Sequence, residues 1–80
     1  MTESEYYRHF KGKVYRIVME ARDSTNCEEV IVYQGLYDDF PVWTRSKQEF
    51  FEDVVRDAYS GPRFKRITKE EAESLTGLEL

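Results

Sequence analysis

The side chains with most to offer a ligand are Arg8, His9, Lys11, Arg16, Tyr33, Tyr37, Trp43, Arg45 and Arg63. Aromatic rings stack on a planar group, a guanidinium grips a phosphate through paired N–H donors, and an ammonium adds a point charge. The mixture suits a planar anion: a nucleotide-like small molecule, or the end of a short RNA. Catalysis asks for more than this. Cys27 and His9 are the one pair able to make a thiolate and a base, and the negative charge of Glu28 and Glu29 beside Cys27 works against the thiolate. Asp38-Asp39 reads as a turn rather than an acid and base pair. A single His and a single Cys among scattered carboxylates lack metal-ligand spacing, and no Gly-rich phosphate loop is present. No nucleophile, base and orienting group come together, so the chain is expected not to be an enzyme and to need no cofactor.

Each of these residues also has a plainer role open to it. His9 could be a partly buried ring satisfied by a backbone partner, and Phe10, Phe50 and Phe51 read as core. Basic residues gather in two segments, Arg8 to Arg22 and Arg63 to Lys69, while acids collect at Glu28 and Glu29, Asp38 and Asp39, Glu49 to Asp57 and Glu70 to Glu73. Two solvated edge strands carrying Lys and Arg to discourage pairing explain the basic segments as well as an anion-facing surface does. The net charge of −4 disfavours bulk duplex DNA but allows one recessed basic pocket. The ligand reading needs the arginines on one face of the sheet. If they lie on separate faces, the competing reading takes its place: a protein-interaction module that receives a peptide in an aromatic groove or along a sheet edge.

The elements that must position these residues are short. Glu29 to Tyr37 is the most apolar run, with Val30, Val32 and Leu36 on one side of an extended strand and Ile31, Tyr33 and Tyr37 on the other. β-branched and aromatic residues on both sides make it a central strand. Lys13 to Arg22 alternates, with Tyr15, Ile17, Met19 and Ala21 facing one way; Lys11-Gly12-Lys13 turns before it and Asp23 to Asn26 after it. Asp38 to Pro41 is another turn, with Phe40 pushed towards an extended conformation by Pro41. A short strand carries Trp43, and Ser46 to Glu49 fits a capping box that starts a helical turn, followed by irregular or extended chain. After Ser60-Gly61-Pro62 an edge strand begins at Pro62. Thr68 to Glu71 is a second capping box, opening a helix from about Lys69 to Thr76, with Ala72 and Leu75 as anchors and Gly77 to end it.

The expected fold is mostly β: a small bent antiparallel sheet of about five strands resembling an SH3-like barrel, with one short helical turn and a C-terminal helix. Residues 1–5 form a flexible start, 6–67 the β domain, and 68–80 the helix and tail. Eighty residues allow one domain that buries only about 60% of its unfolded surface. The lone Cys27 excludes an intrachain disulfide, and no apolar run reaches membrane-spanning length, so a cytoplasmic protein is expected. A weak C-terminal helix and an apolar surplus make a homodimer the default assembly.

The sequence resembles a small bacterial and phage family, a domain of unknown function. The resemblance rests on Tyr7 to Gly12, on Tyr15, Ala21 and Ser24, on Val32 to Gln34 with Leu36-Tyr37, on Trp43 with Arg45, on Phe51, and on Pro62 to Phe64. It spans about Tyr7 to Ile67 and implies a compact, mostly β domain with no established chemistry. Family members usually have His at the position of Asp23, Pro at that of Ser46, and a Val-rich hairpin in place of Val54 to Tyr59. If the second His belongs to a site, that site is altered here.

Overall fold

A computed structural model describes residues 4–80. In chain order the elements are β1 (Tyr6–His9), β2 (Val14–Arg22), β3 (Glu29–Gly35), β4 (Val42–Ser46), α1 (Lys47–Phe50), β5 (Asp53–Arg56), β6 (Tyr59–Pro62), β7 (Phe64–Ile67) and α2 (Lys69–Thr76). Five strands make one antiparallel sheet in the order β4-β3-β2-β1-β7, and β5-β6 is a separate hairpin. The mostly β class follows. The sheet has two edges, β4 and β7, so the barrel expected from the sequence does not close.

Register sorts the side chains into two faces. Tyr7 pairs with Tyr15, His9 with Phe64, Ile17 with Tyr33, Tyr33 with Trp43, and Ile31 with Arg45, which puts these residues on the inner face. Tyr6 opposite Arg16 and Arg8 opposite Val14 define the outer face. The inner core is aromatic: Tyr7, Ile31, Tyr33, Phe50 and Phe64. One turn of helix suffices to deliver Phe50, which is fully buried and stacks on Phe64 with centroids 4.1 Å apart. Ser46 caps that turn by accepting the Glu49 N–H, while the Glu49 side chain turns to Arg45 instead of completing the capping box.

The outer core is smaller: Tyr6, Val14, Leu36, Ile67 and Ala72, with Leu78 and Leu80 against it. Helix α2 covers it with the expected bounds and both halves of its capping box, and Gly77 ends it at φ 74°. Its anchors differ from expectation. Ala72 is fully buried, but Leu75 is 50% exposed, and the chain beyond Gly77 supplies the apolar contacts through Leu78 and Leu80.

The structure also corrects several local expectations. A bulge between Ile17 and Met19 inserts Val18, so Met19 pairs with Val32 and leaves the face of Ile17. Strict period two fails wherever an extra residue enters a strand. Phe40 is not extended: it holds φ 56°, its N–H donating to Tyr37 O and its carbonyl accepting from Gln34 Nε2. The segment after α1, expected as irregular or extended chain, is extended and forms the β5-β6 hairpin, and Pro62 ends β6 instead of starting the next strand. Residues 1–3 of the expected flexible start lie outside the described residues. Glu5 accepts the Ile17 N–H through its carbonyl and the Tyr7 hydroxyl through its carboxylate.

Candidate ligand-binding site

His9 sits where β1 meets β7 on the inner face, wrapped by rings. It stacks on Phe10 at 4.5 Å and meets Phe64 edge-on at 4.9 Å. Its Nδ1 accepts the Lys11 backbone N–H at 3.1 Å, which leaves Nε2 as the protonated nitrogen of the neutral ring. Burial lowers its pKa from 6.5 to about 4, and the positive charges of Arg45, Arg63 and Lys11 add to that effect. The ring therefore stays uncharged at neutral pH, in the field of three cations. Arg45 spans the region: its guanidinium lies 5.8 Å from the Phe64 centroid, its Nε donates to Tyr33 Oη at 3.4 Å, and it meets Glu49 at 3.6 Å. Arg63 is held more firmly, by Glu52 at 2.8 Å and the Glu49 carbonyl at 3.3 Å.

Towards β4 the same face carries a hydroxyl and indole cluster. Tyr15 and Tyr37 share a hydrogen bond at 3.3 Å, and Trp43 Nε1–H donates to Tyr37 Oη at 3.2 Å. Lys13 Nζ lies 4.1 Å above the Tyr37 ring. Tyr15 also packs edge-on against Tyr33 and Phe64, joining this cluster to the rings around His9. Burial raises the Tyr15 pKa, and the hydrogen bond to Tyr37 adds to it, so its hydroxyl is a neutral donor or acceptor. Gly35 makes room for all this: a Cβ there would lie 2.7 Å from Tyr37 Cζ.

Of the residues expected from the sequence, His9, Tyr33, Trp43 and Arg45 share the inner face; Tyr37 joins them through Trp43 and Tyr15, and Lys11 and Arg63 through their fields at His9. Arg8 and Arg16 do not join them. Both lie on the outer face, where Arg16 donates to Gln34 at 2.8 Å and Arg8 lines a cavity of about 250 Å³ beside α2. Period two places them there, opposite Tyr7, His9 and Tyr15. Sequence reasoning left out Lys13, Tyr15 and Gly35. Tyr15 could have been found from its parity, because it falls on the same face as Ile17 and hence Tyr33, whereas the role of Gly35 has no sequence signal beyond a missing side chain. A cavity of about 920 Å³ lies elsewhere, between β7, α2 and Leu80, where Arg66 and Lys69 are offset by Glu70 and Glu71. Asp23 stands in the exposed β2–β3 turn, accepting the Thr25 N–H.

A family model described as a protein of unknown function, DUF1653, matches residues 5–66. The chain belongs to the DUF1653 family. The matched span runs from just before β1 to Arg66 in β7 and takes in the aromatic inner face, while α2 lies beyond it. A crystal structure of a DUF1653 protein from Bordetella bronchiseptica is similar at 34% identity and a TM-score of 0.72, covering 82% of this chain and 87% of that one. Among curated proteins no match is found. No group of His, Cys, Asp and Glu able to hold a metal ion occurs among the described residues, and no helix among them is long and apolar enough to cross a membrane.

Proposed function

We propose that the inner face binds a nucleotide-like anion, free or at the end of a short RNA, and holds it without turnover. The observation that carries this reading is the inner-face grouping of Arg45, the neutral His9 ring and the Tyr15, Tyr37 and Trp43 cluster, with Arg63 and Lys11 near enough to lower the His9 pKa. An anion there would share guanidinium groups now held by Glu49 and Glu52. The Tyr15, Tyr37 and Trp43 cluster offers a stacking surface beside it, with Trp43 48% exposed. Retention of a ligand needs affinity alone, so such a protein could act by sequestering a nucleotide signal in the cytoplasm. The condition set from the sequence, all the arginines on one face, is not met: Arg8 and Arg16 lie on the outer face, and the proposal rests on Arg45, Arg63 and Lys11 without them.

The test is a thermal-shift screen against mononucleotides, cyclic and oligomeric nucleotides and short RNA, followed by NMR titration of the His9 ring. A bound anion stabilises only the folded state and so raises Tm; it also draws the His9 pKa upward. Arg45→Ala should abolish both effects, and Arg8→Ala should leave both intact. No Tm shift at saturating concentrations of every probe would end this reading.

The competing reading, a protein-interaction module using a sheet edge, is favoured by the open β4 strand, whose Val42 is 58% exposed. A stoichiometric protein partner captured by this chain, with nucleotides leaving Tm unchanged, would replace the first reading with this one.

A further inference from the structure

The two edges of the sheet are guarded differently. At β7 the exposed residues are Lys65 and Arg66, and the chain beside them is tied across by Arg63 N–H to Glu52 O and Phe10 N–H to Arg63 O. Charged edge residues and covered backbone are the usual defences against pairing with another strand. At β4 the strand reads Val42-Trp43-Thr44-Arg45-Ser46, with Val42, Trp43 and Thr44 exposed and no charge before Arg45.

The hydrogen-bond phase of β4 fixes which groups are free. Gly35 N–H donates to Pro41 O at 2.8 Å, and in an antiparallel ladder bonded and non-bonded pairs alternate. Trp43 and Arg45 therefore direct their backbone groups to β3, opposite Tyr33 and Ile31. Val42 and Thr44 direct theirs outward, to the open edge.

We infer that this edge pairs with the same edge of a second copy, antiparallel about a two-fold axis through Thr44. In that register Thr44 lies opposite the partner's Thr44 and Val42 opposite the partner's Ser46, which satisfies the outward N–H and C=O groups. Trp43 falls opposite the partner's Arg45 at the closer, non-bonded spacing of about 4.5 Å between Cα atoms. Both are inner-face residues, so each indole meets one guanidinium, a cation–π pair that the symmetry repeats once. The strand is thus self-complementary: no like charges meet, and the two inner faces join into one surface. Shifting the register by two residues puts Trp43 opposite Trp43 or Arg45 opposite Arg45, and the second of these is repulsive. A contact of one short strand is small, so the dimer dissociates on dilution.

This inference stands apart from ligand binding and is tested without any ligand. Sedimentation velocity of the full chain from micromolar to millimolar concentration should show a monomer to dimer transition. Thr44→Lys places two ammonium groups face to face on the axis and should leave only monomer, while Lys65→Thr at the other edge should leave the transition unchanged. In a Cys27→Ser background, Thr44→Cys should cross-link with itself under mild oxidant, and Lys65→Cys should not. A monomer at all concentrations, or a dimer that persists in Thr44→Lys, overturns the proposal.

Discussion

The two faces of the sheet are built from different materials. Outside, one ring, Tyr6, and a few aliphatic groups meet a helix whose one fully buried residue is Ala72, and shape is chiefly at stake. Inside, rings pack edge to face with their polar tips gathered at one end and cations above them. Rigid rings with few rotamers can hold hydroxyls and guanidinium groups in place at little entropic cost. An aliphatic face can only be filled or emptied. The difference explains why the candidate chemistry sits on one side although Arg and Lys are available on both.

Breaking the inner core should have the largest effect. Phe50→Ala removes the ring at the centre of the aromatic stack and should cost about 3–5 kcal/mol, enough to abolish cooperative thermal unfolding in a domain of this size. Gly35→Ala should come next, at about 1–3 kcal/mol, because the new methyl meets the Tyr37 ring. It should also disturb the Trp43 environment, seen as a change in indole fluorescence, since Trp43 is bonded to Tyr37. On the outer side, Thr68→Ala removes the cap of α2 and should cost only about 1 kcal/mol in urea denaturation, leaving the tryptophan signal untouched.

The smallest effect separates the faces by pH. Folding holds the His9 pKa near 4 against an ordinary 6.5, so between these values the unfolded chain binds more protons than the folded one. The sign follows: the contribution of His9 is complete above pH 6.5 and is lost as pH falls towards 4. His9→Gln should flatten the fall in unfolding free energy across that window, read by urea denaturation, by an amount on the order of 1 kcal/mol, because solvent screening around a half-buried ring reduces the full linkage value. Substitutions around Ala72 should leave the pH dependence unchanged.

Local signals carried most of the element pattern. Thr68 and Glu71 three residues apart announce α2, and Gly77 announces its end, because caps are satisfied within a single turn. The run from Glu29 to Tyr37 announces an interior strand of the sheet, since only burial on both faces accommodates Ile31 and Tyr33 together with Leu36. Residue types also pointed to stacking and charge rather than to thiol, metal or phosphate-loop chemistry. The tertiary structure alone decided which cations share the site. The Arg8 and His9 side chains are adjacent in sequence and opposite in space, because a strand alternates and β2 and β7 flank both. It also decided the bulge at Val18, which reverses the faces of Met19 and Ala21, and the room that Gly35 leaves for Tyr37. Those depend on what lies across the ladder, and a single strand read by itself holds no record of its partner.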